Sequence, residues 1–292
     1  MLFRSKDFYF QLIKVFSLSS FLMTFYCTIQ FLKLDPITWS EQGVFGTLGN
    51  INFLSAYLGM TSLCSFGLIL GKGLSKSISS FLFVKTVWDL FLVASTKSIQ
   101  GLVLFVAGLG FLGLLIIRSR GTKWTIAYLI ALGTSFVALI YALFDRGPLA
   151  RVIYQPSVVF RGDYMHAGLA MTLKKPFFGV GMDSYGDWYR EVRGELSTLR
   201  TGPDRIANTA HNIFLDISSN GGVPLGISYI VLNLLVVSSI IRLFRRTQFR
   251  DPVFLALSTT WFGYLVQSVV SINQIGVGVW GWIFSEIGRA HV

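Results

Sequence analysis

Apolar residues fall along this chain in blocks of about 20, the length an α-helix needs to cross a hydrocarbon core of ~30 Å. Eight candidate spans follow, at about 10–32, 51–70, 78–95, 99–117, 124–144, 212–241, 253–271 and a last one opening near Gly276. The pattern therefore predicts an all-α, polytopic transmembrane bundle of about eight spans. The last has only about ten residues between Ile275 and Ser285, too few to cross. Between the fifth and sixth spans the pattern breaks for a polar stretch, 145–210, which is expected to be one large loop with short helices. The chain thus divides into N-terminal spans (1–144), the loop (145–210), C-terminal spans (211–285) and a closing EIGRAHV (286–292). That tail resembles the translation of a sequencing-adapter read-through, so it is set aside, His291 with it, and the native protein is expected to continue.

Charge gives the spans a direction. Basic residues cluster at Arg4 and Lys6, at Lys72 and Lys76, at Arg118, Arg120 and Lys123, and at Arg242, Arg245, Arg246 and Arg250. These are expected to face the cytoplasm, because short cytoplasmic connectors carry the excess of Lys and Arg. The connectors Lys33 to Asn50, Lys97 to Gln100 and Ser271 to Ile275 carry little positive charge, and alternation puts them outside together with the 145–210 loop. The net charge of +11 is scattered over connectors and forms no single patch, so a nucleic-acid partner is not expected. Cys27 and Cys64 lie inside apolar blocks and read as small core residues.

Within the third span Lys85 and Asp89 stand four residues apart, so each supplies the other with a counter-charge on one helix face. A neutralised bridge is favoured over a polar pathway. The small residues of the fourth span, Gly101, Ala107, Gly108, Gly110 and Gly113, point to close helix packing. The run Gly179 to Gly186 lacks the strand and spacing of a nucleotide loop and reads as a turn. Asp183 and Asp187, which could share a helix face, read as surface carboxylates, and no metal site is expected.

Candidate chemistry concentrates in the loop. Of the two histidines in the loop or at its edge, His211 has the better case as a general base. The segment NTAHN opens an apolar helix that Asn208 or Thr209 can cap, and the positive helix end disfavours imidazolium while favouring a bound phosphate. The bland alternative is a histidine that merely packs. His166 fits the polar face of a short amphipathic helix, RGDYMHAGLAMTLKK, near the membrane surface. The loop also holds Arg146, Arg151, Arg161, Arg190, Arg193, Arg200 and Arg205 against two lysines. A guanidinium fork suits an anionic, lipid-linked substrate. For any one of these arginines, pairing with Asp163, Asp187, Glu191 or Glu195 is the simpler reading.

Three segments, FGTLGNINFLSAYL (45–58), RGDYMHAGLAMTLKKPFFGVGMDSY (161–185) and HNIFLDISSNGGVPLG (211–226), resemble in order and spacing the O-antigen ligase and polymerase family. The resemblance implies a multi-pass glycosyltransferase of the cytoplasmic (inner) membrane. Such an enzyme takes a glycan from a polyprenyl diphosphate on the outer face and transfers it to an acceptor glycan or lipid, without metal or cofactor. It implies that Arg161 contacts the diphosphate and that His211, with Asn212 beside it in the HN motif, is the general base. Gly179 and Gly181 match the family's G-x-G turn. Many members carry Ser-Arg-Gly at the outer end of the fourth span where this chain reads Ser98-Ile99-Gln100-Gly101. Lys97 or a loop arginine such as Arg190 or Arg193 would have to supply that charge. The competing reading is a transporter or flippase for a lipid-linked glycan, which predicts two matching halves with broken helices at the midplane. No such internal repeat is visible.

Overall fold

The computed structural model describes residues 6–39, 43–246 and 251–286. Arg4, Arg250 and the tail after Glu286 lie outside them. Within this range the fold is wholly helical: α1 (Lys6–Phe31), α2 (Ile51–Leu70), α3 (Lys76–Ser95), α4 (Gln100–Ile117), α5 (Thr122–Leu143), α6 (Ala150–Ile153), α7 (Pro156–Lys174), α8 (Tyr185–Val192), α9 (Glu195–Thr201), α10 (Ile213–Arg246), α11 (Pro252–Val270) and α12 (Ile275–Ser285). Seven of these described helices, α1 to α5, α10 and α11, are long and apolar enough to cross a membrane, and α12, at 11 residues, is not. The protein is a multi-pass membrane protein.

By contacts the chain forms two compact units. The first comprises Met1–Tyr128, Leu235–Gln267 and Gln274–Val292. α2 is its centre, with α1, α3, α4 and α12 packed on it. Glycines let the backbones meet: a Cβ on Gly101 would lie 2.1 Å from the Ser55 carbonyl oxygen, and one on Gly67 2.6 Å from the Ala256 Cα. The Gly101 N–H donates to Ser55 Oγ at 2.6 Å. Close packing, which drives helix association where lipid is the solvent, thus accounts for the small residues of α4.

α3 shows why its charges are tolerated. Its buried residues, Leu82, Lys85, Thr86, Asp89, Leu92 and Val93, recur at helical spacing on one stripe. The rest of its surface is apolar and exposed, as at Phe81, Phe83, Val84 and Phe91. Lys85 Nζ bonds Asp89 Oδ2 at 2.5 Å and Ser20 Oγ at 2.6 Å, while Thr24 Oγ1 donates to Asp89 Oδ1 at 2.6 Å. The pair is a bridge, as its spacing predicts, and α1 contributes two hydroxyls that the spacing does not reveal.

The second unit comprises Leu129–Leu234 and Ser268–Asn273. Its own core gathers Tyr164, Ala167 and Met171 of α7, Tyr185 and Tyr189 of α8, and Ala207 and Ala210. α7 has 19 residues, longer than the short surface helix expected there. Pro156 at its first turn starts it, where no backbone N–H is required.

α10 departs from expectation more sharply. The apolar pattern reads as one continuous span, 212–241, but Gly222 sits at φ 84°, ψ 169° and breaks the helix. Pro224, which has no N–H to give the preceding turn, is placed in the first turn after the break. The carbonyls released at Ser219 and Asn220 accept from Val180 N (2.8 Å) and Gly181 N (3.1 Å), and Val223 N donates to Pro176 O at 2.7 Å. The Gly179 turn is therefore structural. A Cβ there would come within 2.4 Å of the Asn220 backbone. From Val223 onward the helix still covers ~30 Å at ~1.5 Å per residue.

Candidate active site in the polar segment

Helical spacing puts Arg161, Tyr164, Gly168 and Met171 on one face of α7. That face meets the turn before α10. A Cβ on Gly168 would stand 2.9 Å from Ala210 Cβ, and the Tyr164 ring lies 5.2 Å from the His211 ring at 34°. Tyr185, fully buried, donates its hydroxyl to the Tyr164 carbonyl at 2.5 Å, and Tyr189 packs edge-on against Tyr164 at 5.8 Å. Burial holds the Tyr185 hydroxyl protonated, so it remains a donor.

His211 has a backbone φ of 53°, the left-handed region that few residues other than glycine adopt. Three bonds hold it there. The His211 N–H donates to Thr209 Oγ1 at 3.3 Å, the Ala210 N–H to Asp216 Oδ1 at 2.5 Å, and the Leu215 N–H to Asn212 Oδ1 at 3.1 Å. The helix cap is therefore Asn212, not Asn208 or Thr209. The cap shifts because His211 leaves the helical region immediately before Asn212, so α10 begins at Ile213. Asn212 spends its side-chain oxygen on the helix start.

His211 is half-buried, and its pKa falls from 6.5 to about 4. Burial is the larger cause, and the positive charge of Arg161 the second. The imidazole is thus neutral at pH 7 and can accept a proton, with burial as the main cause. Arg161 is itself largely withdrawn from water, which lowers its own pKa. These two residues, 50 positions apart in sequence, are close enough for the charge of one to act on the other.

The other candidates scatter. Arg193 donates from Nη1 to the Gly202 (3.3 Å) and Arg205 (3.0 Å) carbonyls and from Nη2 to Pro203 O (2.8 Å), so its fork pins the turn after α9. Arg200 pairs with Asp163 Oδ1 at 2.9 Å, and Arg205 lies over the Phe160 ring. Arg190 is exposed on α8, and His166 is exposed on α7. Asp183, at φ 59°, precedes α8, so it does not share a helix with Asp187. Lys97 belongs to the first unit, in the connector after α3, with φ 61°. Tyr164 and Asp216 escape sequence reasoning. Only the three-residue step from Arg161 to Tyr164 hints at the first.

The membrane helices and the folded polar segment, with its neutral histidine and an arginine on one aromatic face, define a multi-pass membrane protein with a candidate site. The O-antigen ligase family matches residues 84–230, half of the chain, from within α3 to beyond the break in α10. The chain belongs to this family and is a membrane glycan enzyme of the O-antigen ligase type. No curated protein is similar enough to match it.

Proposed function

We propose that this protein transfers a glycan from a polyprenyl diphosphate to an acceptor hydroxyl on the outer face of the cytoplasmic membrane, without a metal. The observation that carries the reading is the pairing of neutral His211 with Arg161 on the Tyr164 face of α7. His211 takes the proton of the acceptor hydroxyl through its unprotonated ring nitrogen. The hydroxyl oxygen attacks the anomeric carbon as the bond from that carbon to the diphosphate oxygen breaks, inverting the centre. The diphosphate departs beside Arg161, whose fixed charge meets the negative charge as it develops. Arg190, exposed on α8, is a second contact for the donor.

The low pKa of His211 bears on the order of events. A base at about 4 is weak, and Arg161 is part of the cause. A bound diphosphate offsets the Arg161 charge and raises the His211 pKa, so donor binding strengthens the base that the reaction needs.

The test compares wild type with His211→Ala and Arg161→Ala in purified membranes, with EDTA present and a polyprenyl-diphosphate glycan supplied. The expected result is transfer by the wild type and a loss of about 100-fold or more in both variants at equal expression, the scale of a lost general base. Equal transfer by all three refutes the site. Lipid-linked glycan crossing the bilayer without any transfer makes the protein a transporter.

A further inference from the structure

The first unit holds a polar crevice of about 650 Å³ at the end where α1 and α3 finish and α2 begins, lined by Phe45, Asn50, Asn52, Ser95, Thr96 and Lys97 among others. Its volume is within the range of ligand sites, ~300–1,000 Å³. We propose that it binds an anionic saccharide. That this saccharide belongs to the acceptor rests on the transfer reading above.

The donor set argues for the chemistry. Asn50 Oδ1 accepts from the Asn52 N–H at 2.8 Å, and Asn52 Oδ1 accepts from Ser98 Oγ at 2.8 Å. Each amide oxygen already accepts one bond, and the Nδ2 groups remain as donors. Ser95 and Thr96 give their hydroxyl protons to the Leu92 and Val93 carbonyls, each at 2.7 Å; Thr96 Oγ1 accepts the Ser98 N–H at 3.2 Å, which leaves the exposed Ser95 oxygen able to accept. Lys97 is exposed and makes no ion pair among the described residues, and no carboxylate is among the described residues that line the crevice. Such a surface offers many donors, one cation and a few acceptors. It matches a ligand covered in hydroxyl and ring oxygens that also bears a uronate or phosphate.

An aromatic face completes the set. Trp39, 46% exposed, packs edge-on against the lining ring of Phe45 at 5.5 Å. It does not wander, because its Nε1 donates to Asp35 Oδ2 at 2.9 Å, and the same carboxylate takes the Tyr26 hydroxyl at 2.8 Å and Gln30 Nε2 at 3.2 Å. Gln30 Oε1 in turn accepts the Phe45 and Gly46 N–H groups at 3.2 and 2.9 Å. The connector is built to hold an indole out of the core, where its face can stack on the C–H face of a pyranose.

The test is a saturation-transfer NMR titration of the full chain in nanodiscs with trigalacturonate, maltotriose and inorganic phosphate as probes. Trigalacturonate is expected to bind about tenfold more tightly than maltotriose, the scale of a charge-assisted hydrogen bond, and Lys97→Gln to erase that difference. Trp39→Ala is expected to weaken both saccharides about three- to tenfold. His211→Ala abolishes transfer and leaves this binding unchanged, so failure of the crevice and failure of the transfer reading are told apart. The proposal is overturned if trigalacturonate binds no better than maltotriose, if phosphate alone binds as tightly, or if neither crevice variant alters binding. Both altered side chains are exposed, so folding survives their loss.

Discussion

His211 is held in a conformation that costs about 1–3 kcal/mol in an ordinary chain, and the Asp216 carboxylate on the Ala210 N–H is one of the bonds that hold it. Asp216→Ala leaves that buried N–H without an acceptor, a loss of about 1–3 kcal/mol. Transfer is expected to drop about tenfold or more, while Asp216→Asn, which keeps an acceptor, retains most of it. The pH profile gives an independent check. For free enzyme the acid limb of kcat/KM is expected near pH 4, and the limb of kcat at higher pH, because bound diphosphate raises the His211 pKa. Arg161→Ala removes a nearby positive charge, so whatever activity remains has its kcat/KM limb displaced upward. Coincident limbs in wild type refute the coupling. His211 has its own linkage to folding: between pH 6.5 and about 4 the unfolded chain binds a proton that folded His211 refuses, so the contribution of this residue to stability falls as pH drops through that window. His211 and Arg161 are legible from residue type and from the family likeness. Tyr164 and Asp216 are not, since each acquires its role only through a contact made by folding.

At the scale of elements, the break in α10 decides where the polar segment ends. Gly222→Ala places a Cβ 2.2 Å from the Phe177 carbonyl oxygen at a φ that L side chains rarely adopt. The expected outcome is loss of hydrogen-exchange protection at Val180, Gly181 and Val223, with transfer reduced at least tenfold while membrane insertion is kept. Protection equal to wild type would mean the seam does not depend on this glycine. The polar dip at Asp216 to Gly222 is short and apolar residues resume at Val223, which is why the pattern reads as one span. The signal was nonetheless present in Gly221-Gly222-Val223-Pro224, a glycine stop followed by a proline start.

For the molecule as a whole, the number and order of spans follow from the length of the apolar blocks, since lipid allows few other structures. Pairing inside the bundle does not follow, because lipid-facing and core-facing apolar residues look alike in sequence. The Lys85–Asp89 bridge is the exception, legible from its spacing. Asp89→Ala strands a buried ammonium and is expected to cost about 3–5 kcal/mol, seen as a lower Tm in detergent, whereas the double change Lys85→Met with Asp89→Leu is expected near wild type. A double variant as unstable as the single one would show that the Ser20 and Thr24 bonds, not the charge pair, dominate. The seam between residues 176–181 and 219–223 has a consequence for how such enzymes diversify. It fastens both ends of the stretch that holds α8, α9 and the histidine turn. Gly194 to Arg205 can therefore be lengthened or exchanged without displacing His211 from Tyr164 only where its ties to α7, Arg200 to Asp163 and Arg205 over Phe160, are kept.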